Sequence, residues 1–276
     1  MTVKHITQAA FDLRLKEMCD QQDRALSLVL PHVGTAFDKA KLCGGTALSR
    51  FYLKHRISYD LDFFVPTGFD AQALLNQVAR NVPMANLEIT HDAIKADQLH
   101  FSVDVDGMPI KMSVVEDMYA NFFPLIPSGL QVSQSKQWKV MTEDIDGLYH
   151  RKLRTVVGWA APTDAHPSGG RQTARDMFDL FVLSQAHKPL LSFIEQLPFA
   201  FAMQAFQEGL ANMPWFDLIP ELEETVASPR WQSAMDVEHL QNHLFTELGM
   251  SVIINPEADD GASPASSAPA AIKRNP

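Results

Sequence analysis

The sequence predicts an α+β fold in which a mixed β-sheet lobe is followed by a mainly helical lobe. Short alternating segments bounded by Gly and Pro occupy the first half of the chain, and apolar residues at helical spacing occupy the second half. The final stretch is rich in Ala, Ser and Pro and has almost no large apolar side chains, a composition typical of disorder. We therefore expect a sheet lobe over residues 1–135, a helical lobe over 136–255 and a disordered tail over 256–276.

Local patterns predict the elements of the first half. An alternating, aromatic-rich segment over 58–65 is typical of a central strand. The pair Asp106-Gly107 between two alternating segments is a hairpin signal. The remaining predicted elements are one or two helices over 5–30, a strand over 41–43 that enters a glycine turn, helices over 47–53 and 70–81, and hairpin strands over 99–105 and 110–115.

The second half contains long segments with helical spacing. A stretch over 159–173 carries two Pro and two adjacent Gly residues, which predicts a long loop that serves as a lid or an interaction loop. The predicted helices cover 144–158, 175–186, 190–207 and 237–248.

Composition limits the class of protein and its partners. The 276 residues are 46% apolar and 20% charged, as in an ordinary globular protein, and no run approaches the roughly 18 apolar residues of a membrane helix. The start of the chain lacks a signal-peptide core, and Cys19 and Cys43 form no metal or disulfide spacing, so we expect a cytoplasmic protein. The net charge of −10 argues against extensive nucleic-acid coating. A local basic group could still bind an anion, and the alternative is a solvated helix face; the group comprises His150, Arg151, Lys152, Arg154, Arg171 and Arg175.

Two aspartates are the first candidate site residues. Asp60 and Asp62 are two positions apart in the predicted strand, so both carboxylates are expected on one face, where they can bind a hard cation. Paired acidic residues near a loop are often only solvated. Here, however, aromatic and aliphatic neighbours surround them, and a carboxylate in such surroundings is costly without a partner.

A glycine turn precedes this strand. Gly44 and Gly45 allow close backbone approach to a ligand, and the following helix would offer free N–H groups to a phosphate, to which the Thr46 hydroxyl could add a donor. The alternative is a tight turn in which Thr46 caps the helix.

Lys152 lies on the apolar face of its predicted helix, where lysine seldom occurs without a partner or a task, although its stem can also reach past apolar neighbours to water. Asp176 lies on an otherwise apolar face too, and Asp179 shares part of that face. Either aspartate could instead pair with Arg175, cap its helix or hold Lys152.

These segments together resemble the AbiEii/AbiGii-toxin type of nucleotidyltransferases, a branch of the DNA polymerase β-like superfamily. The resemblance covers about half of the chain, and its first motif is specific. The matching segments are Gly44-Gly45-Thr46-Ala47-Leu48, the Arg-x-Ser-x-Asp-x-Asp pattern from Arg56 to Asp62, Asp144-Ile145 leading to Lys152-Leu153, and Arg175-Asp176-Met177-Phe178-Asp179-Leu180.

The resemblance implies a nucleotidyltransferase-like sheet lobe, with a helical lobe that completes the active site. It also implies that an NMP moves from an NTP to an acceptor such as tRNA, in a toxin of a toxin–antitoxin or phage-defence system with a cognate antitoxin. The implied site residues are Asp60 and Asp62 for Mg²⁺ or Mn²⁺, Gly44, Gly45 and Thr46 for the triphosphate, Arg56 and Ser58 as its lining, and Lys152 with Asp176 to complete the nucleotide site.

The chain departs from the superfamily at the third acid, which members commonly carry on a later strand. The predicted strand over 110–115 contains no acid, and Asp104 or Glu116 could substitute. Three other functions remain open: a non-catalytic nucleotide-binding protein, a phosphatase with Asp60 as nucleophile and a glycosyltransferase with a metal-binding Asp-x-Asp. The bulky Phe63-Phe64 after Asp62 disfavours the phosphatase.

Overall fold

The strands form one mixed sheet in the computed structural model, which describes residues 6–33, 39–89, 94–95, 98–117, 122–131, 139–157 and 173–251. The strands are β1 (Lys41–Cys43), β2 (Leu61–Pro66), β3 (Leu87–Glu88), β4 (Ile94–Lys95), β5 (Gln98–Val105), β6 (Met108–Asp117), β7 (Leu125–Gln131) and β8 (Lys139–Glu143). Their order is β3-β5-β6-β2-β1-β8-β7, and β4 pairs with β5. The central β2 is antiparallel to β1 and parallel to β6, whereas β1 is parallel to β8.

Helices precede, cover and follow this sheet. Thr7 caps the first of them by accepting the N–H of Ala10. The helices are α1 (Gln8–Val29), α2 (Gly44–Ala47), which continues as a π-helix (Leu48–Leu53), α3 (Ala71–Asn81), α4 (Ile145–Val157), α5 (Ala174–Ala186), α6 (Leu190–Glu195), α7 (Met203–Ala211), α8 (Ile219–Glu224) and α9 (Val237–Glu247). Among the described residues, no helix is both long and apolar enough to cross a membrane.

The hairpin of β5 and β6 gives the sheet one apolar face and one polar face. Leu99, Phe101, Ile110, Met112 and Val114 are at most 5% exposed, while the residues that alternate with them are partly accessible or exposed. The apolar face packs against α1 and α3. The hairpin turn uses positive φ angles at both central positions, 55° at Asp106 and 83° at Gly107, as the primed two-residue turns require. The predicted hairpin is therefore confirmed.

Several predicted elements differ in extent. The central strand begins at Leu61, so Asp60 lies just before it and the alternation argument for a shared face applies only to Asp62. The single helix predicted over 190–207 is wrong: α6 and α7 are separate, and Pro198 lies between them, where it supplies no N–H for a continuous helix. Strands β3, β4, β7 and β8 and helix α8 were not predicted.

The sheet and the helices meet at α2, α4 and α5. Both α4 and α5 contact α2, and α4 also contacts β8 and α5. Strand β8 falls inside the range predicted for the helical lobe yet pairs with β1, so the sheet uses residues from beyond position 135. The α+β class is confirmed, whereas the domain boundaries stay a prediction. The predicted loop over 159–173, apart from Thr173, and the tail over 256–276 lie outside the described residues.

Candidate active site

Asp62 lies at the centre of the sheet, against the glycine turn. In the strand register it faces Cys43 of β1 and Ser113 of β6, and its Oδ1 accepts a 2.5 Å hydrogen bond from the Ser113 hydroxyl. Gly44 has a φ of 71°, and a Cβ at this position would lie 2.5 Å from Asp62 Oδ2. Glycine is therefore needed at position 44 both for its backbone conformation and for the approach of the carboxylate.

Gly45, the second glycine of the turn, allows two further predicted site residues to approach the backbone. A Cβ on Gly45 would lie 2.0 Å from Arg56 Nη2 and 3.1 Å from Ser58 Oγ. The structure therefore brings the glycine pair, Arg56, Ser58 and Asp62 together, although Arg56 is buried with only 3% of its surface exposed.

The alternative in which Thr46 caps the helix does not hold. Cys43 occupies the N-cap position, and Thr46 lies inside α2, where its buried hydroxyl donates to the backbone carbonyl of Asp60. This bond connects the glycine turn to the residue before β2. Thr46 thus fixes the backbone of Asp60, and the Asp60 side chain is half-buried beside the site.

Lys152 is buried between two carboxylates of α5. Its ammonium lies 2.5 Å from Asp176 Oδ1 and 2.7 Å from Asp179 Oδ2, and the residue is 4% exposed. Asp176 is fixed from its other side by the Thr173 hydroxyl, which donates to Oδ2 over 2.7 Å. Of the alternatives left open by the sequence, Asp176 holds Lys152, while Arg175 pairs with Glu221 at 2.9 Å.

Asp179 also holds Lys152, as the sequence allowed, and in addition it joins Lys152 to Arg56, a contact that was not predicted. It accepts bonds from Arg56 Nε at 2.6 Å, Arg56 Nη2 at 2.9 Å and His55 Nε2 at 2.7 Å. Burial opposes ionisation of Asp179, but the charges of Arg56 and Lys152 hold its pKa well below the usual range. Burial lowers the pKa of His55, which favours a neutral ring that donates from Nε2.

Asp60 also interacts electrostatically with this cluster, through Arg56. Burial alone would lower the pKa of Arg56, but the negative charges of Asp179, Asp176 and Asp60 raise it. Asp60 and the two α5 aspartates therefore act together on Arg56, and the same two aspartates hold Lys152.

A second buried ion cluster lies on the same side of the sheet. Lys41 of β1 is 2.5 Å from Asp117 and 2.7 Å from Glu143, and Arg151 of α4 is 2.9 Å from Asp117 and 2.6 Å from Glu143. The Arg151 guanidinium also lies 4.2 Å from the centre of the Phe64 ring. Two cations thus balance two carboxylates, and the cluster attaches α4 to β1, β6 and β8.

This cluster makes the fold sensitive to acid. Burial opposes ionisation of Asp117 and Glu143, but the bonds and charges of Arg151 and Lys41 lower both pKa values. The folded chain then binds fewer protons than the unfolded chain. The stabilisation is complete above the unfolded pKa values of roughly 4 and is lost as the pH falls through the folded values.

We therefore expect the urea midpoint of unfolding to fall steeply between about pH 5 and pH 3. Glu143→Gln should be less stable at neutral pH and show a shallower decline. Urea titrations of both proteins at a series of pH values measure this, and a midpoint that stays constant in acid would contradict it.

Among the described residues, neither acid suggested as the third lies beside Asp62. Asp104 accepts the N–H of Gly107 in the hairpin turn, and Glu116 accepts the N–H of Gly68, so neither of the two suggested substitutes lies at the site. Ser113 is the β6 residue in register with Asp62. Within the described ranges, no three His, Cys, Asp or Glu side chains are grouped as metal ligands.

Two arginines of the predicted basic group do not form a basic surface in the structure. Arg151 belongs to the inward-facing cluster and Arg175 is paired with Glu221, so neither is a free surface cation. Arg154 has interactions of its own, and Arg171 lies outside the described residues.

The fold and this arrangement define a nucleotidyltransferase: a strand carries an aspartate against a glycine turn, beside a helical layer with a buried lysine. The model of the family described as nucleotidyl transferase AbiEii toxin, type IV TA system, matches residues 30–237. The chain belongs to this family of nucleotidyltransferase toxins, which confirms the resemblance read from the motifs and leaves no support for the phosphatase and glycosyltransferase alternatives.

Two solved structures are similar in shape. JHP933 from Helicobacter pylori has 15% identity and a TM-score of 0.44, with 86% of this chain and 90% of that chain covered. MenT4, a nucleotidyltransferase toxin from Mycobacterium tuberculosis H37Rv, has 14% identity and a TM-score of 0.43, with 79% and 73% covered. No curated protein matches the chain in sequence.

Proposed function

We propose that the chain transfers a nucleoside monophosphate from an NTP to an RNA acceptor, such as the end of a tRNA, with a divalent cation bound by Asp60 and Asp62. The acceptor oxygen forms a bond to the α-phosphorus as the bond from that phosphorus to the α–β bridging oxygen breaks. Pyrophosphate leaves, and the hydroxyl proton passes to solvent. The proposal rests mainly on the close approach of Asp62 to Gly44, because a carboxylate then lies beside the turn assigned to the triphosphate.

The ligand set at the Asp pair fits a hard cation. Asp62 gives one oxygen to Ser113 and turns the other towards Gly44, while the Asp60 carboxylate accepts no hydrogen bond from any described residue. Mg²⁺ is commonly held by one or two carboxylates together with substrate phosphates and water, so two aspartates suffice. Mn²⁺ accepts the same oxygen ligands. When bound, the ion would neutralise charge on the triphosphate.

The glycine turn and the buried cations supply the other contacts. Gly44 and Gly45 begin α2, whose first N–H groups can bind a phosphate, and Arg56 and Ser58 line the turn from the adjacent chain segment. Lys152 carries a positive charge on the helical side, held by Asp176 and Asp179. We assign Lys152 and Asp176 to the nucleotide site, where phosphate oxygens would compete with Asp176 for the ammonium.

The assignment of Lys152 makes a specific prediction. Lys152→Ala should weaken both NTP affinity and turnover, because the ammonium is then missing beside the phosphates. Lys152→Arg should rescue poorly, since a planar guanidinium cannot replace a compact ammonium between two carboxylates. Equilibrium binding of a non-hydrolysable NTP and single-turnover transfer, measured on both variants, test this. Unchanged affinity and turnover in Lys152→Ala would remove this residue from the nucleotide site.

The acceptor is tested directly with the purified protein. We expect label from one or more α-labelled NTPs to appear on tRNA within total RNA, in the presence of Mg²⁺ or Mn²⁺, and to be absent with chelator or with Asp60→Asn. Label on a protein or on a small molecule would refute the RNA acceptor while leaving nucleotide transfer intact. A cognate antitoxin, expected for this type of toxin, should suppress the toxicity of the expressed chain.

A further inference from the structure

The polar face of β5 and β6 continues from the Asp pair. Ser113 is in register with Asp62, and His100 of β5 is in register with Ser113, so the three side chains leave the same side of the sheet in one row. Lys111 and Ser102 form the next pair on that side, one step along the hairpin. We call His100, Ser102, Lys111 and Ser113 the β5–β6 polar face.

This face is open, in contrast to the other side of the same strands. Its members are partly accessible, and Lys111 is exposed, whereas Met112 and Val114, which flank Ser113 in sequence, are at most 3% exposed on the packed side. A ligand that contacts Asp62 can therefore extend along the face without any change in the packing of the core.

The chemistry of the face suits a phosphodiester chain. Within the described ranges Lys111 forms no ion pair or hydrogen bond, so its ammonium is available to a ligand. His100 is partly accessible, and its Nε2 lies 3.0 Å from Gln98 Oε1; an imidazole ring can stack on a base. Asp104, the acid on the same side of β5, is already bonded to the hairpin turn. Within the described part of the chain, a lysine without a bonded partner, an imidazole ring and two serine side chains thus lie in the two register pairs nearest Asp62.

We propose that the β5–β6 polar face binds the end of a single-stranded RNA acceptor, with Lys111 contacting a backbone phosphate and His100 stacking on a base, so that the terminal hydroxyl lies at Asp62. This rests on the proposed RNA acceptor and locates its binding surface on the sheet, away from the arginines of α4 and α5. Single-stranded ends are bound in this way by a cation that follows the backbone and an aromatic ring that holds a base.

The test compares Lys111→Glu and Lys111→Gln with Lys16→Glu. Lys16 is an exposed lysine of α1, the helix that packs on the opposite side of the sheet, so its reversal changes the net charge equally at a remote place. The acceptor is the RNA labelled by the wild type, and a short single-stranded RNA with the same end measures binding.

We expect Lys111→Glu to raise the KM for RNA about tenfold and Lys111→Gln to raise it less. Both should leave the affinity for a non-hydrolysable NTP and the thermal unfolding midpoint unchanged. The log–log salt slope of RNA binding should become shallower by about 0.7, the value for one phosphate contact on a single strand. His100→Ala should also weaken RNA binding, and His100→Phe should retain it.

Three results would overturn the proposal. If the wild type labels RNA and Lys111→Glu behaves like Lys16→Glu, the polar face is not the acceptor site although the proposed function stands. If the wild type transfers nucleotide but labels no RNA, the RNA acceptor and this inference fall together. If single-stranded DNA of the same sequence binds and is labelled equally well, the commitment to RNA is wrong.

Discussion

Asp62→Asn is expected to abolish nucleotide transfer while leaving the chain folded. The amide has the shape of the carboxylate, and its oxygen can still accept the bond from Ser113, so the contact with Gly44 and the packing of β2 are retained. The lost negative charge would remove one ligand of the proposed cation. Because a bound cation contributes several kcal/mol to the transition state and each 1.36 kcal/mol is a factor of ten, we expect a loss of about 10³-fold or more.

Asp60→Asn should behave in the same way. Its backbone carbonyl, which accepts the Thr46 hydroxyl, is unaffected by the substitution, so the turn keeps its geometry. Neutralising one of two neighbouring carboxylates should leave the metal-free protein as stable as the wild type or slightly more stable.

Asp104→Asn is the matched control for both variants. It removes an aspartate charge from the same sheet at the hairpin turn, where the amide oxygen can still accept the Gly107 N–H. Single-turnover incorporation of labelled nucleotide and thermal unfolding should be measured for all three variants. Full activity in both Asp60→Asn and Asp62→Asn would refute the cation site, and a loss in Asp104→Asn of equal size would show a general effect of charge.

Asp179→Asn is expected to have the largest effect on stability. The carboxylate is fully buried and shared by His55, Arg56 and Lys152, two of which carry a positive charge. Removing one partner of a buried ion cluster leaves the remaining charges uncompensated, which costs about 3–5 kcal/mol. The variant should also bind NTP more weakly, because Lys152 and Arg56 lose the group that fixes their positions.

Asp146→Asn provides the comparison for this substitution. Asp146 also binds two basic groups, His187 at 2.5 Å and Lys188 at 2.8 Å, but 32% of its side chain is exposed. Solvent screens this pair, and the loss should stay below about 1 kcal/mol. Urea unfolding at neutral pH gives both values. Equal decreases in the free energy of unfolding of the two variants would show that the buried cluster around Asp179 stabilises the fold no more than the exposed one around Asp146.

The parts of the site that were predictable depend on short-range patterns. Lys152 was singled out because its neighbours at helical spacing are apolar, and it is buried as that pattern requires. Gly44 and Gly45 were recognisable from their position between a strand and a helix. The shared role of Asp179 was not predictable, since its partners His55 and Arg56 are more than 120 residues away in sequence and only the fold brings them together.

The missed elements have physical explanations as well. Strand β7 contains Pro127, Ser128 and Gly129, which are unfavourable in a central strand but tolerated in this one, which ends the strand order of the sheet. Arg151 was expected on a basic surface because it lies among basic residues. The two acids that pair with Arg151 lie in β6 and β8, so the sequence of α4 alone gives no sign of them.

The adjacent residues Arg151 and Lys152 leave α4 in different directions, one to the sheet and the other to α5. Successive residues of an α-helix are about 100° apart around its axis, so both contacts fix the rotation of the same helix. A screw motion of α4 would have to break two sets of buried ion pairs at once. Inserting a single residue in α4 before Arg151 would rotate both side chains by about 100° away from their partners. The spacing from Ile145 to Lys152 therefore determines whether both ion pairs can form.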